Sequence, residues 1–274
     1  MKVILITGAS SGIGYEAAQR LARRGCKVYA AARRVELMEP LRKEGIVPMR
    51  LDVCDEESMQ QCVDTILQAE GRIDVLVNNA GYGYFGAVEN VSDAEARRQL
   101  EVNVFGLAAM CRLVLPHMRK QGSGRIVNTS SIAGLVVLPF GGWYHVSKYS
   151  VEALSDALRM ELRPFGIKVT MIEPGGIKTD WGLIAADNLK NSSMGTAYEA
   201  AALPEADLLH KVYSGNILTK PTKIARAIER AALSRRPRTR YRLGRFSSLA
   251  VWTHHLLPAR WWDALLLHFA KIKL

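Results

Sequence analysis

The chain has 274 residues, enough for one large α/β core and short for two independent ones. Hydrophobic residues make up 49% and charged residues 23%, which excludes both a disordered chain and one embedded in a membrane throughout. The formal net charge of +11 suits a polyanion, an acidic membrane surface or a phosphorylated ligand, without choosing among them.

In chain order, β-rich apolar runs at residues 3–7, 27–31, 48–53, 75–78, 125–129 and 168–172 alternate with helical periodicity at 16–24, 56–68, 95–118, 148–163 and 221–232. This predicts one doubly wound α/β domain: a parallel sheet of about seven strands with helices on both faces, binding its ligands beyond the carboxyl ends of the strands. Residues 178–219, rich in small and polar side chains, read as a long substrate loop. The first apolar run is too short for a signal peptide, and no uninterrupted stretch reaches the length of a spanning helix. Cys26, Cys54, Cys62 and Cys111 lack metal-ligand spacing, so no metal is expected, and they read as reduced core or near-core thiols in a cytoplasmic protein.

The tail differs in character. Six arginines fall between Ser234 and Arg245, and residues 247–274 are rich in leucine and aromatics. Trp261, Trp262, Leu265, Leu266, Phe269 and Ile272 share one helical stripe, opposite Asp263, His268 and Lys271. Such a tail can pack on the body as a lid, join a dimer contact or lie on a membrane surface, in which case the protein is membrane-associated. Packing on the body ranks first and the membrane second. No nucleic-acid partner is expected, because the arginines cluster near a predicted strand and do not interleave with stacking aromatics.

Thr7-Gly8-Ala9-Ser10-Ser11-Gly12-Ile13-Gly14 follows the first strand and opens the first helix. Glycines there permit a tight turn and bring backbone N–H groups and a positive helix end to a pyrophosphate. The second strand ends in Ala32-Arg33-Arg34, where a chain that prefers NAD usually offers a carboxylate to the adenosine ribose. A guanidinium in its place favours a 2′-phosphate, so the expected cofactor is NADP(H). Asp52-Val53 ends the third strand and Asn78-Asn79-Ala80-Gly81 the fourth, both at the ligand edge. Asp52 can serve an adenine amino group, and the small Ala80-Gly81 pair lets backbone approach a sugar; local Asx turns are the alternative.

Ser130-Ser131 terminates the fifth strand, and Tyr144 and Lys148 stand four residues apart on one helical face. An ammonium beside a phenol lowers the phenol pKa towards working pH, which makes Tyr144 a candidate general acid/base. His145 reads as a helix-surface or pocket-wall residue. Together the glycine motif, Asn78-Asn79-Ala80-Gly81, Asn103, Ser131, Tyr144, Lys148 and Pro174-Gly175 resemble, in order and spacing, the short-chain dehydrogenase/reductase family over about residues 1–180.

The resemblance implies a Rossmann domain with a catalytic set of Tyr144 as acid/base, Ser131 on the substrate oxygen, Lys148 on the nicotinamide ribose and Asn103 holding a relay water. It also implies that Pro174, Gly175, Ile177 and Thr179 border the nicotinamide, and that helices beginning near Glu95 and Lys148 form a homo-oligomer. Tyr84, Phe85, Leu138, Phe140, Trp143, Trp181 and Leu183 supply an apolar pocket without a fixed cation. A bulky lipophilic ketone or secondary alcohol is therefore expected, and the chain looks most similar to the hydroxysteroid and retinol branch. Reduction of a 3-oxoacyl thioester and a non-catalytic NADP(H)-binding sensor or scaffold are the alternatives.

Overall fold

Alternate residues of β1 (Val3–Thr7) point to opposite faces, and both faces are covered: Val3 and Leu5 join one core cluster, Ile4 and Ile6 another. The computed structural model, which describes residues 1–270, sets β1 inside a seven-stranded sheet. The other strands are β2 (Lys27–Ala32), β3 (Val47–Arg50), β4 (Val75–Asn78), β5 (Gly124–Thr129), β6 (Ile167–Pro174) and β7 (Arg240–Leu243). All pairings are parallel, in the order β3-β2-β1-β4-β5-β6-β7.

Ten α-helices accompany the sheet among the described residues. They are α1 (Gly12–Ala22), α2 (Glu56–Glu70), α3 (Asp93–Leu100), α4 (Gly106–Lys120), α5 (Gly142–Glu161), α6 (Trp181–Ser193), α7 (Glu199–Ser214), α8 (Pro221–Leu233), α9 (Ser247–Leu256) and α10 (Ala259–Ala270). Helices α1 and α8 cover the Ile4 and Ile6 face through Ala17, Leu21, Ile224 and Ile228. Helices α2, α4 and α5 cover the other through Val63, Ile66, Met110, Val114 and Val151. Each fully buried aliphatic side chain stabilises by roughly 1.5–3 kcal/mol, so these two layers fix the sheet. Strand order reverses between β1 and β4, which opens a crevice at their carboxyl ends.

The structure corrects several sequence expectations. Strand β3 stops at Arg50, so Asp52 and Val53 lie beyond it in a turn. The helix expected over 95–118 divides into α3, a π-helical turn at Glu101–Phe105, and α4. By length and composition Asp93–Lys120 could cross a membrane, yet Leu107, Met110, Cys111, Val114, Leu115 and Met118 are spent on the core. The expected loop at 178–219 is largely the α6–α7 helical hairpin. Its buried positions are mostly alanine (Ala185, Ala186, Ala202, Ala206), which pack closely but give a weak apolar period. Cys62 and Cys111 are buried and Cys26 is half-buried, but Cys54 is exposed.

The tail stripe also divides. Trp262 and Leu266 turn inward onto Val136, Val251, Leu135 and Leu257, while Trp261 and Leu265 face solvent. Lys271 and Ile272 lie outside the described residues, as does the side chain of Phe269.

Candidate active site

The turn between β1 and α1 is built for close backbone approach. Gly8 has φ +65°, and a Cβ on it would stand 2.6 Å from the Ala80 Cα; one on Gly14 would stand 2.5 Å from the Gly8 carbonyl oxygen. Asn79 fastens this turn by donating from Nδ2 to the carbonyls of Thr7 (3.2 Å) and Gly8 (3.1 Å). Thr7 Oγ1 accepts from the N–H groups of Asn79 and Ala80, both at 3.0 Å.

The amino end of α1 is left open. Ser11 caps it with extended backbone but no side-chain hydrogen bond, and its first turn carries no acid. By contrast Asp55 accepts from Glu57 and Ser58 N–H groups at the start of α2, and Ser92 accepts from the Glu95 N–H at α3. The free N–H groups beside Ser10, Gly12, Ile13 and Gly14 therefore fit an anionic pyrophosphate. Thr179 closes the far side: a Cβ on Gly12 would touch its Cγ2 at 3.3 Å. Pro174 ends β6, the Gly175 N–H donates to the Leu243 carbonyl (2.7 Å), and Ile177 is buried beside Thr219.

Arg33, exposed at the end of β2, lines a cavity of about 360 Å³ with Asp52, Cys54, Arg97, Arg98, Glu101 and Val102. Three guanidiniums on one cavity are suited to a phosphate. Arg34 is exposed and does not line this cavity, and Val53 is buried against Gly106. Asp52 Oδ1 accepts from the Cys54 N–H at 3.0 Å, the Asx turn that was the alternative for this residue.

Tyr144, Ser131, Lys148 and Asn103, scattered in sequence, are all buried and all converge. Ser131 stands close enough to Tyr144 to favour its ionised form, accepts from the Ala133 N–H (3.1 Å) and donates to the Pro174 carbonyl (3.3 Å). Lys148 Nζ lies 5.9 Å from the Tyr144 ring centre and donates to the Thr129 carbonyl at 2.9 Å. Asn103 sits in the π-helical turn, a distortion common at functional sites. Its Oδ1 accepts from the Tyr82 N–H (3.0 Å), and its Nδ2 donates to the Tyr82 carbonyl (2.8 Å) and to Ser147 Oγ (3.0 Å). Ser147 in turn donates to the Tyr144 carbonyl at 2.7 Å, tying that turn to α5.

The electrostatics reverse one expectation. Burial raises the Tyr144 pKa well above the ordinary phenol value, with the nearby Ser131 hydroxyl opposing it, so burial favours the neutral phenol. Lys148 carries the corresponding cost: burial pulls its ammonium down to about 8, although Glu152 counteracts this.

Of the expected pocket residues, Phe85 and Trp181 meet Tyr144, with ring centres 5.9 and 4.9 Å away, and Phe140 packs on the same cluster. Tyr84 turns its N–H to Gln99 Oε1 (2.7 Å), Leu138 is exposed, and Trp143 and Leu183 are only half-buried. None of these four belongs to the aromatic cluster. His145 is a buried clamp and not a helix-surface residue. Its Nε2 accepts from the Leu138 N–H (3.0 Å), which leaves Nδ1 to donate to the Ala133 carbonyl (2.9 Å), and burial lowers its pKa.

Sequence reasoning missed Ser147, Thr7, Arg97 and Arg98. Ser147 and Thr7 lie inside motifs already singled out and could have been found there. Arg97 and Arg98 carry no motif and reach the site only because α3 ends beside β2.

A family model described as short chain dehydrogenase matches residues 2–187. The chain is 37% identical, over 95% of both sequences, to a probable short-chain type dehydrogenase/reductase, VdlC, of Helicobacter pylori. It is 44% identical over 65% of both sequences to a 3-ketodihydrosphingosine reductase of Bacteroides thetaiotaomicron. The crystal structure of a short-chain dehydrogenase from Streptomyces avermitilis superposes with a TM-score of 0.79 at 35% identity, covering 98% of this chain and 96% of that one. With the fold, the open glycine turn and the Ser131–Tyr144–Lys148 cluster in agreement, the chain belongs to the short-chain dehydrogenase/reductase family.

Proposed function

We propose that this oxidoreductase uses NADP(H) to interconvert a ketone and a secondary alcohol on a bulky lipophilic substrate. The observation that carries this is the burial of Tyr144 in an apolar cluster with Phe85, Phe140 and Trp181, with Ser131 and Lys148 beside it. NADP(H), when bound, supplies or accepts the hydride. The Gly8–Gly14 turn would hold its pyrophosphate, Arg33 with Arg97 and Arg98 its 2′-phosphate, and Lys148 its nicotinamide ribose.

Tyr144 donates its phenolic proton to the carbonyl oxygen in reduction and takes it back in oxidation. Ser131 hydrogen-bonds the same oxygen and polarises it. Asn103 fixes Tyr82 and, through Ser147, the backbone of Tyr144, so it acts by position. The apolar walls exclude water and favour a substrate without charge. The name of the Bacteroides relative supports a lipid ketone. A homo-oligomer through α4 and α5 is part of the same reading, since Val146, Tyr149 and Met160 leave bulky apolar surface exposed on α5.

The test is NADPH oxidation over 3-ketodihydrosphingosine, steroid ketones, retinoid carbonyls and 3-oxoacyl thioesters. Turnover of a lipophilic ketone is expected. Turnover of 3-oxoacyl thioesters alone would move the assignment to that chemistry, and NADPH binding without any turnover would make the protein a sensor or scaffold.

A further inference from the structure

The C-terminal helices α9 and α10 hold to the body by one face only. Ser247 and Val251 are buried on α9, and Trp262 is buried and Leu266 half-buried on α10. The outer side is apolar. Leu249, Trp252 and Leu256 follow the i, i+3, i+7 pattern of one helical stripe, opposite Ser247 and Val251, and Trp252 is 62% exposed. On α10, Trp261 (71% exposed) and Leu265 are one turn apart. Phe246 precedes them at φ +62°, a backbone state a bulky residue adopts only under constraint, with its ring 68% exposed. Single exposed apolar residues are ordinary, but six large ones over twenty residues of contiguous chain are not.

The charges around this face are mostly positive. Arg245 lies over the Phe246 ring at 5.3 Å, Arg260 is exposed in the first turn of α10, and Asp263 is the sole acid from residue 234 to the end of the chain. Pairing two such faces would bring four arginines together against two aspartates, which disfavours a second chain as occupant. An anionic bilayer turns the same cations into an attraction, and tryptophan is at home where headgroups meet acyl chains.

We infer that the outer face of α9–α10, from Phe246 to Leu265, is a peripheral docking surface for an anionic lipid membrane. The hairpin rests on Leu135 and Val136, in the segment between Ser131 and Tyr144, and α10 touches α7. The hairpin that carries the docked face is therefore anchored on the segment that joins Ser131 to Tyr144. Lipid binding by this face is independent of which substrate the site takes.

The full-length protein is sedimented with phosphatidylcholine vesicles with and without phosphatidylglycerol, at low and high salt. Binding is expected only with phosphatidylglycerol, accompanied by a blue shift of tryptophan emission, and should weaken by about tenfold or more at high salt. The triple variant Leu249→Glu, Trp252→Glu, Trp261→Glu should lose sedimentation yet keep its NADPH affinity. Wild-type protein that stays in the supernatant with phosphatidylglycerol overturns the inference, as does a variant that binds vesicles like wild type. So does a sedimentation-velocity shift from dimer to monomer in the variant with vesicle binding intact, since the face would then be a contact between copies.

Discussion

The indole of Trp181 lies 4.9 Å from the ring of Tyr144, inclined at 50°, so the first residue of α6 forms a wall against the proton donor. Phe85 completes the corner, meeting Trp181 edge-on at 88°. Under the proposed function, substrate recognition falls to the α6–α7 hairpin and proton chemistry to α5. Trp181→Ala should therefore raise the KM for lipophilic ketones by about tenfold or more while the Kd for NADPH stays within about twofold. Equal losses in both, measured by initial rates and nucleotide fluorescence, would remove Trp181 from the substrate wall.

Tyr144→Phe keeps the ring in its packing and deletes only the hydroxyl. kcat is expected to fall by about 10²–10⁴-fold, the usual contribution of a general acid, with NADPH binding retained. Ser131→Ala should cost less, because Tyr144 still donates. Substantial residual turnover in the tyrosine variant would refute its role.

Charge-assisted hydrogen bonds are worth about 1.5–3 kcal/mol, so Arg33→Ala should weaken NADPH binding by about 10–100-fold. NADH, lacking the 2′-phosphate, should be nearly unaffected. Parallel titrations decide this, and wild-type protein that binds NADH more tightly than NADPH would reverse the cofactor assignment. Arg97→Ala and Arg98→Ala should give smaller losses of the same selectivity.

Burial holds Lys148 near a pKa of about 8, against an ordinary 10.5 that the unfolded chain recovers. Between those values the unfolded chain binds the additional proton, so this group makes the cofactor-free fold more stable as pH rises from 8 to 10.5. The full span corresponds to at most about 3 kcal/mol. Lys148→Met lacks the titration. The melting temperature of wild type relative to this variant should thus climb between neutral pH and pH about 10, and a flat difference by calorimetry would contradict the burial effect.

Glu173, fully buried on β6, receives Arg242 Nε at 2.8 Å and Arg240 Nε at 3.1 Å from β7. Arg240 also reaches Asp156 (2.6 Å) and Glu152 (3.4 Å) on α5. Arg240→Leu leaves these carboxylates short of a counter-charge and should destabilise the fold by about 3 kcal/mol in denaturant unfolding. A loss within experimental error would mean that Arg242 alone satisfies Glu173.

The residues that set the strands, the first turn and the start of α5 were legible in the chain itself. Continuous apolar β-rich runs, the glycines of the first turn and the Tyr144–Lys148 spacing are local, and each follows from sterics or local geometry within a few residues. Other features depend on distant partners. Alanines on α6 and α7 show no strong period until they face each other, so the hairpin reads as a loop. Arg97 and Arg98 join Arg33 only where α3 meets the end of β2. Trp261 and Trp262 are adjacent in sequence, yet one is buried against Val136 and the other is exposed. The proton state of Tyr144 was decided last of all, because four residues of helix bring an ammonium near, but only the packed core removes the water that would stabilise a phenolate.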